Sequence, residues 1–146
     1  MIYIDKNFLD EKSCKDIIDF YNQNSDKVYQ YRDTYPLTLS AISSVTDKIE
    51  KICKTLNENS ILHTCQIVKW PCGSKMKPHF DPDEDIFAAV VYLNDEYIGG
   101  ETYFENYKCS PSIGKLVIFS NNKILHQVSE VKEGTRYTLA LWFISK

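Results

Sequence analysis

The sequence predicts an α+β chain: helices come first, then a run of short strands that closes into a sheet sandwich or jelly roll braced on one face by N-terminal helices. Three observations carry this. Apolar residues recur at helical spacing in two stretches ahead of Asn57. From Ser60 onward, segments rich in β-formers alternate with Gly, Asn and Pro turn signals. No repeat, low-complexity tract or linker interrupts the 146 residues. The chain therefore reads as a single domain, with helical support over 1–59 and a β-sandwich core over 60–146.

Each element follows from its own pattern. IYIDKNFL reads as a short strand, and Asp10 is placed to cap the helix after it. Cys14, Ile17, Ile18 and Tyr21 make one apolar stripe on that helix. Residues 28 to 40 hold Tyr29, Tyr31, Tyr35 and Pro36 and read as irregular. A second helix carries Ile42, Val45, Ile49, Ile52, Cys53 and Leu56 on one face, and NENS closes it. Strands are expected at 61–70, FAAVVYLN (87–94), ETYFEN (101–106), KLVIFS (115–120), ILHQVSEV (124–131) and RYTLALWFI (136–144). The turn signals between them are NDEYIGG, SPSIG, NN and KEGT.

Composition narrows the function classes. With 43% hydrophobic and 25% charged residues the chain is globular, and no apolar run is long enough to span a bilayer. The N-terminus has an early Asp and no apolar core, so no signal peptide is expected. Seventeen basic against twenty acidic residues leave a net charge of −3, which argues against a nucleic-acid footprint. Five cysteines without a C-x-x-C pair read as reduced, mostly buried thiols in a cytoplasmic protein.

The chemistry has few possible carriers. His79 and Asp81 form a His-x-Asp pair; in an extended segment both point to the same side and can converge on one ion. A loop-edge salt bridge explains that pair equally well. His126 lies in a predicted strand, where a histidine is ordinarily a hydrogen-bonded sheet residue. Together, though, two imidazoles and a carboxylate form the set that holds non-haem Fe(II) on one face and leaves the other positions open. Arg136 lies ten residues after His126, across the turn KEGT, so adjacent antiparallel strands could bring both inside one sandwich. It opens an apolar strand on which Arg136, Thr138, Ala140 and Trp142 share a face. An Arg buried there needs an anion, and a dicarboxylate suits its fork.

From Gln66 to Ser145 the chain resembles the prolyl 4-hydroxylase type of the 2-oxoglutarate and Fe(II)-dependent dioxygenases. The matching pieces are QIVKWPCGSKMKPHFD, VVYLN, GGETYF and GKLVIFSNNKILHQVSEVKEGTRYTLALWF. The N-terminal IYIDKNFLDEKSCKDIIDFY is similar to that family's opening strand and helix, less specifically. The resemblance implies a double-stranded β-helix with the metal between its sheets. It assigns His79, Asp81 and His126 to Fe(II), and Arg136 to the distal carboxylate of 2-oxoglutarate. It gives Tyr92 a hydroxyl bond to the same carboxylate, where a core aromatic is the plainer reading. Thr102 and Thr138 would line the cosubstrate pocket, although strand propensity accounts for both. Trp70 stands where the family often has Tyr; an indole donates one hydrogen bond and accepts none, and Trp70 could wall the pocket or be plain core.

The activity implied is hydroxylation of an unactivated C–H, with O₂ as oxidant and oxidative decarboxylation of 2-oxoglutarate to succinate and CO₂. Ascorbate is an accessory expected of the family. The acceptor implied is a peptidyl proline hydroxylated at C4, with a free amino acid or other small molecule as the alternative. Tyr31 and Arg32, in the aromatic-basic stretch that also holds Tyr29 and Tyr35, could line a groove for a proline-rich peptide; ordinary loop packing explains them as well. Asp83, Glu84 and Asp85 are expected to form a solvated loop at the mouth, and His63 is expected to have no role. From another class, a non-catalytic metal-binding β-sandwich module would keep the ligands without turnover. Neither a membrane nor a nucleic acid is an expected partner, and the oligomeric state stays open. A bacterial or viral source fits so compact a chain, with the host cytoplasm as the compartment in the viral case.

Overall fold

The computed structural model describes residues 1–146, with the side chain of Ser43 left out. The chain runs β1 (Ile2–Asp5), α1 (Glu11–Gln23), a 3-10 turn (Ser25–Lys27), β2 (Tyr35–Leu39), α2 (Ser43–Leu56), β3 (Ser60–Trp70), β4 (Met76–His79), β5 (Asp85–Tyr92), β6 (Ile98–Gly99), β7 (Thr102–Phe104), β8 (Tyr107–Cys109), β9 (Leu116–Phe119), β10 (His126–Val128), β11 (Val131–Glu133) and β12 (Arg136–Ser145). Among the described residues the strand pairings are all antiparallel. They form a six-stranded sheet ordered β1-β9-β5-β12-β3-β2, a four-stranded sheet ordered β4-β10-β7-β8, and the ribbon β11-β6.

β12 organises the molecule because its two faces do different work. Leu139, Leu141 and Phe143 are fully buried on one face. They share a cluster with Ile67 and Cys65 of β3, Val91 and Ala89 of β5, and Cys14, Ile17, Tyr21, Ile49 and Cys53 of the two helices. The alternate residues Arg136, Thr138, Ala140 and Trp142 line a cleft on the opposite face, as the two-residue period requires. The register sets Thr138 between Val68 and Tyr92, and Ala140 between Gln66 and Val90. The four-stranded sheet packs on this cleft side: Phe104 and Cys109 cluster with Ala88 and Tyr92, and Val128 clusters with Val68, Trp70 and Ala140.

Asp10 caps α1, its carboxylate accepting from the Ser13 amide at 2.7 Å. The structure departs from the expected pattern in several places. Residues 35–39, read as irregular, form the edge strand β2 paired with β3; the pairing is tertiary and has no local signature. ILHQVSEV is two strands: the β10–β7 ladder ends after Val128, where the Glu101 amide donates to the Ser129 hydroxyl, and β11 then pairs with β6 instead. Leu56, expected on the buried face of α2, is 39% exposed at the helix end. His126 and Arg136 do not lie on adjacent strands: β10 belongs to the smaller sheet and β12 to the larger, so they approach across the sandwich.

Candidate metal centre and its cleft

His126 lies directly opposite His79 in the β10–β4 register, which brings the two imidazoles to ring centroids 4.3 Å apart with their planes tilted by 56°. Asp81 follows β4 by two residues and turns back to them. Its Oδ1 is 3.3 Å from His79 Nε2 and 3.6 Å from His126 Nε2. One ligand atom from each of the three lies within 4.8 Å of the other two.

Hydrogen bonding decides what this corner wants. His79 Nδ1 sits 2.7 Å from the Lys77 carbonyl and His126 Nδ1 2.8 Å from the Ile124 carbonyl. A carbonyl only accepts, so each Nδ1 carries a proton and each ring turns inward its Nε2, the atom that can give a lone pair to a cation. Two lone pairs and a carboxylate oxygen then face a common point. Three acceptors so close repel unless a cation sits among them, and two imidazoles with one carboxylate suit Fe(II). The donor set thus fits the ion. Burial pushes the Asp81 carboxyl up, and the hydrogen bond donated by Asn121 opposes that push.

The cleft beside this corner has a volume of about 610 Å³. Its walls come from both sheets, with Trp70, Thr138 and Arg136 on one side and Thr102 and His126 on the other. Arg136 is 2% exposed, its Cζ 4.5 Å over the Trp70 ring and 5.5 Å from the Tyr92 ring. Among the described residues no carboxylate lies within ion-pair distance of it, and its buried Nε has no hydrogen-bond partner. Trp70 Nε1 and the Tyr97 hydroxyl are likewise buried without partners. A guanidinium in that state calls for an anion.

The remaining expected residues fall unevenly. Thr102 lines the cleft and pairs its hydroxyl with that of Tyr92 at 2.8 Å. Tyr92 is fully buried and stands behind the wall. Tyr31 and Arg32 reach the mouth of the same cleft with Tyr29, whereas Tyr35 turns away and gives its carbonyl to Tyr21. Arg32 adopts a left-handed backbone (φ 54°) at the tip of a tight Tyr31–Thr34 turn. One expectation is corrected. Asp85 is buried, not solvated, because it opens β5 under Asn121; burial pushes its carboxyl up. His63, expected to be an ordinary strand residue, is an exposed residue of β3 at the rim of the cleft. Tyr97 and Asn121 were not singled out from the sequence, where both sit inside turn signals. Burial raises the Tyr97 phenol to about 12, although Arg136 opposes the shift.

Comparison with known proteins agrees with this geometry. Residues 65–144 match the family model of the 2OG-Fe(II) oxygenase superfamily. A probable prolyl 4-hydroxylase 11 of Arabidopsis thaliana is 37% identical over 73 residues, covering 46% of this chain and 27% of the plant protein. Prolyl 3-hydroxylase 2 of Rattus norvegicus is 25% identical over 143 residues, covering 92% of this chain and 19% of its own. The chain thus spans about a quarter and a fifth of these relatives. The viral collagen prolyl hydroxylase of Paramecium Bursaria Chlorella virus-1, solved as a 2OG complex, superposes with a TM-score of 0.81 at 20% identity, covering 99% of this chain and 96% of that one. The family match runs from within β3 into β12, the stretch that holds both the three-ligand corner and the anion-seeking Arg136, and the chain belongs to the 2OG-Fe(II) oxygenase superfamily.

Proposed function

We propose that the chain is an Fe(II)- and 2-oxoglutarate-dependent hydroxylase whose acceptor is a prolyl residue of a peptide or protein, hydroxylated at C4. The net reaction inserts one oxygen atom of O₂ into the C–H bond. The other goes into 2-oxoglutarate, which leaves as succinate and CO₂. The observation that carries the reading is the pairing of two unsatisfied groups in one cleft: three acceptors awaiting a cation, and a buried guanidinium awaiting an anion.

His79, Asp81 and His126 would hold the ion, which supplies O₂ activation when bound. Arg136 would bind and orient the distal carboxylate, with Trp70 and the Tyr92 ring keeping water from the guanidinium. Thr102 and Thr138 would line the cosubstrate, and Tyr92 fixes the Thr102 hydroxyl. Tyr31 and Arg32 would contact the substrate: with Tyr29 they give the mouth an aromatic and cationic lip that suits an extended, proline-rich segment. The names of the relatives support prolyl hydroxylation; one is a 3-hydroxylase and one a 4-hydroxylase, so regiochemistry is part of the test.

The purified chain should therefore be incubated with Fe(II), 2-oxoglutarate and ascorbate, alongside proline-rich peptides or free proline. The expected result is succinate in step with a one-oxygen mass gain on the peptide, and 4-hydroxyproline after hydrolysis. A gain on free proline alone would move the acceptor to a small molecule. No succinate with any acceptor would leave a binding module. Asp81→Ala should abolish both products, and full activity in that variant would refute the ligand assignment.

A further inference from the structure

The asparagine pair between β9 and β10 has no part in the roles assigned above, yet it grips the metal corner. Asn121 is fully buried. Its carbonyl accepts from the Asp81 amide at 3.0 Å. Its side-chain Nδ2 donates to Asp81 Oδ2 at 2.7 Å and leans toward Asp85 Oδ2 at 3.5 Å. Trp142 Nε1, from β12, donates to the same Asp81 Oδ2 at 3.3 Å. Asn122 Nδ2 reaches the Asp83 carbonyl at 3.2 Å and so ties down the residues that follow. One carboxylate oxygen thus has two N–H donors from separate segments. The other, Oδ1, faces the two imidazoles.

This asymmetry has a consequence for coordination. A carboxylate binds a divalent ion through one oxygen or through both. Two imidazoles and one carboxylate oxygen leave three positions of an octahedral ion open, and a second Asp81 oxygen would occupy one of them. We infer that Asn121 and Trp142 are positioning residues that restrict Asp81 to a single-oxygen ligand and so keep the open side of the ion at its full width. The side chain at 121 suits the task. Its amide NH₂ can lie between two carboxylates where a third carboxylate would be repelled, and it is neutral, so it does not compete for the cation. Its Oδ1 is left without a partner, because turning the amide around would set that oxygen against Asp81.

The inference rests on the ligand reading of His79, Asp81 and His126, and Mn(II) alone tests both without turnover. Free-ion EPR gives the affinity, and water-proton relaxation gives the number of exchangeable waters on the bound ion. The wild type should bind Mn(II), and His79→Ala should abolish that binding. Asn121→Ala should weaken it roughly 10- to 100-fold, the usual cost of losing a group that orients a ligand, and should leave one water fewer on the ion. Trp142→Phe keeps the ring, removes only the donor, and should shift both readings the same way by less. Wild-type affinity and water count in Asn121→Ala and Trp142→Phe, with the His79→Ala effect intact, overturn this inference alone. So does a loss of affinity that merely tracks a lower metal-free melting temperature. If Asn121→Ala does not fold, Trp142→Phe decides by the same two readings. Mn(II) binding that is absent in the wild type, or indifferent to His79→Ala, removes the ligand reading itself.

Discussion

Arg136 is the residue whose chemistry the protein alone leaves least satisfied. A buried guanidinium with neither an ion-pair partner nor a bond at Nε is stable only if its aromatic neighbours and a ligand offset the loss of water. The ligand's share should be large. Arg136→Ala is expected to raise the 2-oxoglutarate requirement by two to four orders of magnitude, from the roughly 3–5 kcal/mol lost when one half of a buried pair is removed. Mn(II) affinity should stay near wild type, because the guanidinium is not a ligand. An isothermal titration of each ligand in turn checks the split, and an unchanged 2-oxoglutarate affinity would refute the assignment. Arg136 was legible in the sequence because a charged residue opening an apolar strand is conspicuous. His79, Asp81 and His126 were legible because residue type and spacing restrict what such a set can bind. Tyr97 and Asn121 were not. Tyr97 lies in NDEYIGG and Asn121 in a plain NN turn, and what matters about each is a group forty or so residues away: Arg136 beside Tyr97, and Asp81 bonded to Asn121.

At the scale of elements, the helices and central strands could be read from periodicity, whereas the ribbon and the edges depended on tertiary pairing. The β6–β11 ribbon illustrates the difference. Gly99 has φ of +81° and faces the backbone of Glu130, whose carbonyl oxygen a Cβ at 99 would strike. Gly99→Ala should therefore cost about 2 kcal/mol or more, from left-handed strain plus a displaced ribbon, measured as a lower urea midpoint. The interface between helices and sheet carries its own pH dependence. Burial pushes the thiols of Cys14, Cys53 and Cys65 up to about 11, 12 and 11, well above the ordinary thiol range. The native state therefore keeps these protons where the unfolded chain gives them up. Unfolding then releases protons, so stability should fall as pH rises above 9, by at most ~1.4 kcal/mol per unit for each thiol. Urea melts at pH 8 and pH 10 test this. Replacing the three cysteines by alanine should flatten the slope, and a slope that survives the replacement would assign it to the buried tyrosines.

For the molecule as a whole, the notable fact is that no single sheet contains the site. The imidazoles stand on the four-stranded sheet, Arg136 and Trp142 on the six-stranded one, and Asp81 on the loop that crosses between β4 and β5. Sequence reading reached the sandwich but expected His126 and Arg136 on neighbouring strands, since ten residues and a short turn ordinarily make a hairpin; the diversion of β11 to β6 is what carries the chain across. Ligands held from both sides should therefore clamp the two sheets together, and binding should register as global stability. A ligand at one hundred times its dissociation constant adds about 2.7 kcal/mol, or roughly 5–10 °C in melting temperature for a chain of this size. Mn(II) should give that shift in the wild type and in Arg136→Ala, but not in Asp81→Ala. Adding 2-oxoglutarate to the Mn(II) form should raise the wild type further and leave Arg136→Ala where the metal put it. If instead the keto acid stabilises Arg136→Ala as much as the wild type, the anion is bound elsewhere. The cleft would then be a metal site alone, since the second increment depends on a dicarboxylate whose distal carboxylate would pair with Arg136.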